Sequence, residues 1–188
     1  MPWTNALKNV RKGKFTGVMI ASLNSDTKDF IFPKTAIVDN NTYYAVRKDS
    51  DFKYTDNNSL KDKVIGIVEE YHFGGTMGQY IEDNYKNLQY VHQMSGNAVT
   101  LLNIKALINK HTDLYVDDQY VIKYVAAQNK LSDQIKVVGS INDTHKNYII
   151  FSPALKESQA LADMYDEGYK KLLDDGTVQK ILVKYDVN

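Results

Sequence analysis

Apolar and polar positions along this chain follow two rhythms, one helical and one alternating. Asn5 to Lys12 sets Ala6, Leu7 and Val10 on one helix face, and Gly13 stops it. Thr16 to Leu23, TGVMIASL, then reads as a buried strand, and Thr42 to Lys48, TYYAVRK, as a second. The stretch KDSDFKYTDNNS after it is too poor in apolar residues to be core, so it runs over the surface. Ser59 is placed to cap a short turn over Leu60 to Asp62. Next comes VIGIV, Val64 to Val68, β-branched at alternate positions, the pattern of a fully buried strand that opens a new sheet.

From there strand and helix take turns. The pattern predicts helix over Gly75 to Tyr85, strand over Leu88 to Val91, and helix over Ala98 to Ile108 with Ala98, Leu101, Leu102 and Ile108 on one face. Strand follows over Thr112 to Val116 and helix over Gln119 to Gln128. Such alternation predicts a parallel sheet with helices on both faces. Two more strands, QIKVVGSI and NYIIFS, flank a polar turn at Asn142 to His145. A long helix over Leu155 to Leu173 then carries Leu161, Met164, Tyr165 and Leu172 at helical spacing; Gly176 ends it, and Thr177 caps a last helix through Val183.

With 188 residues, 43% of them apolar and 24% charged, the chain has the make-up of a soluble globular protein of one large domain or two small ones. Lys plus Arg and Asp plus Glu both number 23, so no global field attracts nucleic acid or an anionic membrane. The absence of cysteine excludes disulfides, thiolate chemistry and Cys-based zinc sites. No apolar run approaches the roughly 20 residues of a membrane span, and MPWTNALKNVRKGK lacks the apolar core of a signal peptide. Either the protein stays inside the cell, or its targeting segment is not part of this sequence.

Enzyme motifs are not found. GGTMGQ lacks the Lys and Ser/Thr of a phosphate-binding loop, there is no Gly-x-Ser-x-Gly, and His72, His92, His111 and His145 show no zinc spacing. The reading is no catalytic residue, no cofactor and no metal. His111 precedes a strand and is solvated, whereas His92 and Gln93 follow the strand LQYV, where they can line a cleft. The one suggestive stretch is TDLYVDDQYV, in which a short strand runs into two acids, Asp117 and Asp118, just before a helix. In an open α/β sheet, ligands sit outside the carboxyl ends of the strands. One of the pair can cap the helix; the other is then free to face a crevice and meet a cationic group.

PWTNALKNVRKGKFTGVMIASL resembles a segment of the bacterial solute-binding proteins that feed ABC transporters, the amino-acid type with two α/β lobes around a cleft. The resemblance continues in order through FIFPKTAI, TYYAVRKDS, SLKDKVIGIV, TDLYVDD, NYIIFS and LLDDGTVQKILVKY, over essentially the whole chain. It implies a periplasmic-binding-protein type II fold: two lobes with mixed or parallel sheets, joined by two hinge strands near Tyr43 to Lys48 and Tyr148 to Ser152. Lobe 1 would hold residues 1–47 and 146–188, and lobe 2 residues 48–145. Family members begin with a strand, helix and strand that this sequence lacks, so the first lobe is expected to be incomplete. Its exposed backbone edge and apolar surface would then invite another chain, unless the sequence is shortened: a partner supplying the strands, or a homo-oligomer.

The same resemblance implies which residues meet the ligand. Asp118 matches the position whose carboxylate receives the ligand's amino group. Amino-acid binders hold the substrate carboxylate with an Arg after the strand TGVMIASL, because a guanidinium matches it bidentately; here the loop ASLNSDTKDF has no Arg, and Lys28 is its only cation. Ser22 and Asn24, at the strand end, offer hydroxyl and amide contacts, or ordinary turn chemistry. After VIGIV the family has a small hydroxyl residue, whereas this chain has EEYHFGGTMG. Glu69 and Glu70 there oppose an anion, while Tyr71, His72 and Phe73 offer flat faces, unless Tyr71 and Phe73 pack into the core. The expectation is a periplasmic protein that captures a small polar solute, an amino acid or a cationic amino-acid-like compound, for an ABC permease. The alternative is a ligand-sensing domain of a signalling receptor.

Overall fold

A computed structural model describes residues 3–141 and 145–185. In chain order the elements are α1 (Trp3–Arg11), β1 (Gly17–Ser22), β2 (Val38–Asn40), β3 (Thr42–Arg47), β4 (Ile65–Val68), α2 (Gly75–Asp83), β5 (Val91–Met94), α3 (Val99–Ile108), β6 (Leu114–Asp118), α4 (Gln119–Gln128), β7 (Ile135–Ser140), β8 (His145–Phe151), α5 (Ser158–Asp174) and α6 (Thr177–Lys184). They divide into two units, Met1–Asn40 with Thr144–Asn188, and Asn41–Asp143. Most of the predicted polar turn at Asn142 to His145 lies outside the described residues.

The first unit is built on a three-stranded antiparallel sheet in the order β1-β8-β2. Leu7 and Val10 on α1 meet Ala21, Phe30 and Ile150 in its core, the face that Ala6, Leu7 and Val10 were expected to define. Arg11 ties the helix to the loop after β1. Its Nε and Nη2 donate to the two carboxylate oxygens of Asp29 at 2.6 and 2.9 Å, and the guanidinium stacks 4.7 Å from the centre of the Phe30 ring. β2 was not expected from sequence; it holds only three residues and is recognisable through its pairing with β8. Met164 and Leu172, expected on the buried face of α5, are exposed, and the residues α5 buries are Ser158 and Ala162. Gly176, not Thr177, occupies the cap of α6, in the left-handed conformation that glycine adopts without a Cβ penalty.

The second unit carries a five-stranded sheet in the order β5-β4-β6-β3-β7. β5, β4 and β6 are parallel, and β3 runs antiparallel between β6 and β7, so the sheet is mixed rather than wholly parallel. The β-branched run of β4 is buried at every position, as its pattern required. Alternation then sorts the two faces. Ile65, Ile67, Leu114 and Val116 pack with Met77 and Ile81 of α2 on one side; Ala45 and Tyr115 pack with Ile104 and Leu107 of α3 and Ile122 of α4 on the other. Each of the buried Ile, Leu, Val and Met side chains contributes about 1.5–3 kcal/mol of burial. Gly66 faces α3, and a Cβ there would lie 2.8 Å from the Asn103 side-chain oxygen, so the glycine lets helix and strand approach.

Several predicted boundaries shift. β3, read as a hinge strand of the first lobe, sits inside the second unit's sheet. β5 starts at Val91, and Leu88 lies in an exposed turn. The buried face of α3 is Asn103, Ile104, Ala106 and Leu107, whereas Leu102 is exposed. Asp56, not Ser59, caps the 3-10 turn Asn57–Leu60, accepting from the backbone N–H groups of Asn58 and Ser59. β6 runs on through both acids instead of ending at Val116.

Candidate functional site

Because β5, β4 and β6 are parallel, their carboxyl ends lie along one edge of the second sheet. The helix after β4 packs on one face and the helix after β6 on the other, so the β4/β6 boundary is a switch point, where open α/β sheets hold ligands. Asp117, Asp118 and the segment from Glu69 to Phe73 emerge there.

The two acids have different surroundings. Asp118 is half-buried and caps α4: its Oδ1 accepts from the backbone N–H groups of Tyr120 at 2.7 Å and Val121 at 3.1 Å. Among the described residues its Oδ2 receives no hydrogen bond. Asp117 is 5% exposed. It lies two residues from Tyr115, hence on the same face of β6, and accepts a hydrogen bond from the Tyr115 hydroxyl. Its Oδ1 also accepts from the Asp118 N–H at 2.8 Å, and the Thr100 hydroxyl lies 3.4 Å from its Oδ2. Burial drives its pKa up to about 6; the hydrogen bonds from Tyr115, Asp118 and Thr100 oppose that, and the neighbouring Asp118 charge adds to it.

Tyr71 completes the cluster. It is 44% exposed, yet its phenol pKa is raised, first by its own burial and then by the charges of Asp117 and Asp118, so it lies within electrostatic reach of both. Its path is fixed from behind. A Cβ at Gly78 would run into the carbonyl oxygen of Phe73, so α2 starts flush against the loop that carries Tyr71. Phe73 itself is core, packed with Met77 and Ile81, and the flat face expected of it is not presented. His72 is exposed, with Nδ1 3.8 Å from Glu82 Oε1 on α2. The Gln93 side-chain amide donates to the Tyr85 carbonyl. Glu69 and Glu70 are exposed.

Of the residues expected from the first unit, Ser22 and Asn24 make bonds within that unit. Ser22 donates to the Asn147 side-chain oxygen across the β1–β8 pair at 2.9 Å. Asn24 makes a turn, its side-chain oxygen accepting from the Asp26 N–H at 2.9 Å and the Thr27 hydroxyl at 3.2 Å. Lys28 is exposed. Thus Asp118 and Tyr71 share the switch-point edge, Ser22, Asn24 and Lys28 belong to a separate unit, and Tyr115 and Thr100, which bond to Asp117, are residues that sequence reasoning did not name. Alternation along β6 could have paired Tyr115 with Asp117; nothing in the sequence pointed to Thr100. A depression of about 380 Å³ lined by Ser50, Phe52, Lys53 and Lys136 lies toward the other end of β3. Among the described residues no cluster of three His, Asp or Glu is placed to hold a metal, and no helix is long and apolar enough to cross a membrane.

This arrangement of elements is the type II periplasmic-binding-protein fold, with mixed sheets in two units. No protein-family model matches the sequence, and no curated protein matches it. Solved structures do match. The probable amino-acid ABC transporter extracellular-binding protein ytmK from Bacillus subtilis superposes with a TM-score of 0.71 at 21% identity, over 100% of this chain and 78% of that one. A histidine kinase sensor domain with similarity to periplasmic binding proteins gives 0.72 at 15% identity, over 97% and 75%. The arginine-, lysine-, histidine-binding protein ArtJ from Geobacillus stearothermophilus gives 0.70 at 19% identity, over 97% and 74%. At these identities the likeness establishes the fold; the neighbours are binding proteins and a sensor domain rather than enzymes.

Proposed function

We propose that this chain is an extracytoplasmic solute-binding protein that captures a small polar solute bearing a cationic group, an amino acid or amino-acid-like compound, and passes it to an ABC permease. The observation that carries this reading is Asp118: two backbone N–H groups pin one oxygen, and among the described residues the other receives no hydrogen bond, within electrostatic reach of Tyr71 at the switch point. A carboxylate so held is pre-organised for an ammonium or guanidinium, and the exposed Tyr71 ring offers it a π face. Glu69 and Glu70 on the same edge add to the preference for positive charge. The ABC-transporter binding proteins among the structural neighbours support the transport role. The exposed apolar side chains of the first unit make a homo-oligomer part of the proposal.

Thermal-shift and calorimetric titrations with L-arginine, L-lysine and L-histidine against L-glutamate test it. The cationic solutes should stabilise the protein and glutamate should not, with the effect lost in Asp118→Asn. Stabilisation by glutamate alone, or unchanged affinity in Asp118→Asn, refutes it. The sensor domain with the same fold favours a second reading, ligand sensing in a signalling receptor. Transmembrane or kinase sequence encoded beside this chain decides for that reading.

A further inference from the structure

Asp117 is a buried acid that the proposed site does not use, yet it touches the residue that does. We propose that Asp117 positions Asp118 and gives up a proton when positive charge arrives there, so that a cationic solute is bound with release of a proton to solvent. The inference rests on the reading of Asp118 as the ligand's carboxylate.

The geometry is that of two consecutive carboxyls sharing one backbone link. Asp117 Oδ1 accepts the N–H of Asp118, and Asp118 Oδ1 in turn accepts the first N–H groups of α4, so a change of charge on Asp117 acts on the peptide unit that aims Asp118. The groups facing Asp117 are Tyr115 and Asp118 on β6, Thr100 on α3, Tyr71 on the segment after β4, and Tyr43, its cross-strand neighbour on β3. None of these is basic. With no cation facing it among the described residues, the protonated form of this buried acid is favoured well into the weakly acidic range, held at about 6 rather than higher by the hydroxyls and the N–H that donate to it. A solute ammonium on Asp118 supplies the missing positive charge. The O–H of Asp117 then ionises, its proton goes to the buffer, and the Tyr115 and Thr100 hydroxyls, which can turn, donate to the carboxylate. Linkage sets the sign: binding that releases a proton strengthens as pH rises, about tenfold for each unit by which the bound solute lowers the titration.

The test uses protein labelled with 13C at aspartate carboxyls, followed by NMR against pH, with Asp117 assigned by its disappearance in Asp117→Asn. In the ligand-free protein its signal should titrate near the weakly acidic midpoint. Asp118→Asn, which keeps a good helix cap, should lower that midpoint by removing a like charge, and Tyr115→Phe should raise it by removing a bond to the ionised form. L-arginine should lower it. Calorimetry in two buffers of different ionisation heat should then show proton release in wild type at about pH 6, and none in Asp117→Asn, which still binds. An ordinary carboxylate midpoint for Asp117, no movement in Asp118→Asn, or binding of L-arginine without proton release overturns the proposal. Failure of L-arginine and L-lysine to bind at any pH sinks the function proposed above and solute-linked release with it. The Asp118→Asn and Tyr115→Phe titrations, which need no ligand, still judge the coupling of the two acids.

Discussion

The two units handle their apolar residues differently. In the second, helices cover both faces of the sheet, and β4 and β6 are buried along almost their whole length. In the first, β1 is an edge strand whose Met19 and Ile20 are 64% and 48% exposed, and α5 and α6 leave Met164, Leu172, Ile181 and Val183 in solvent. The second unit's central strands are therefore covered on both faces, and its exposed apolar residues such as Leu88 and Leu102 lie on turns and helices, whereas in the first unit the edge strand itself is exposed. Stability should reside in the former and the tendency to associate in the latter.

Large effects should fall in the second unit. Leu114→Ala or Ile67→Ala, both at fully buried positions, should cost about 2–5 kcal/mol in urea denaturation, whereas Met164→Ala should stay within about 0.5 kcal/mol. Comparable losses at the two places would erase the contrast. Next comes self-association: if the first unit's apolar face is an interface, Ile20→Lys with Leu23→Lys should turn a concentration-dependent oligomer into a monomer by sedimentation, while a charge at Val121 of the second unit should not.

Stability should also respond to pH with opposite sign in the two units. The folded pKa of Asp117, about 6, lies above its unfolded value, so the folded chain holds the extra proton between them. This contribution is present at about pH 4 and is lost as pH rises through about 6; Asp117→Asn should flatten that part of the profile. Asp29 is held below its ordinary value by the hydrogen bond from Arg11, so its contribution is present above about pH 4 and is lost as pH falls through the lowered pKa. Arg11→Ala should remove it at a cost of about 0.2–1 kcal/mol, small because the pair is exposed. Of similar size, Asp118→Ala should cost about 1 kcal/mol as a lost helix cap, and Asp118→Asn almost nothing, which separates capping from ligand binding.

Much of this architecture could be read from the sequence where one rhythm dominated. The β-branched run of β4 and the stretch Gln119 to Gln128 of α4 appear as expected. Errors arose where apolar residues outnumbered the places to bury them. α3 carries Leu101, Leu102, Ile104, Leu107 and Ile108 around its circumference, so periodicity alone could not pick the face, and the burial of Asn103 beside Gly66 depends on the neighbouring strand. On α5 the apolar stripe was real, but its unit offers nothing to cover Met164 or Leu172 among the described residues. At the site, Asp118 could be read both as cap and as candidate ligand, and it is the cap in fact. The burial of Asp117 was missed because the strand was ended two residues early; carried to Asp118, its alternation puts Tyr115 and Asp117 side by side.

The contact behind Tyr71 limits how this candidate edge can diversify. Any side chain at Gly78 would push the carbonyl of Phe73 and swing the whole rim segment outward. New preferences at this edge are thus reached by exchanging the ring at residue 71, with the track of the main chain left as it is, and a library that keeps residue 78 fixed while varying residue 71 should retain folded members where the converse library does not.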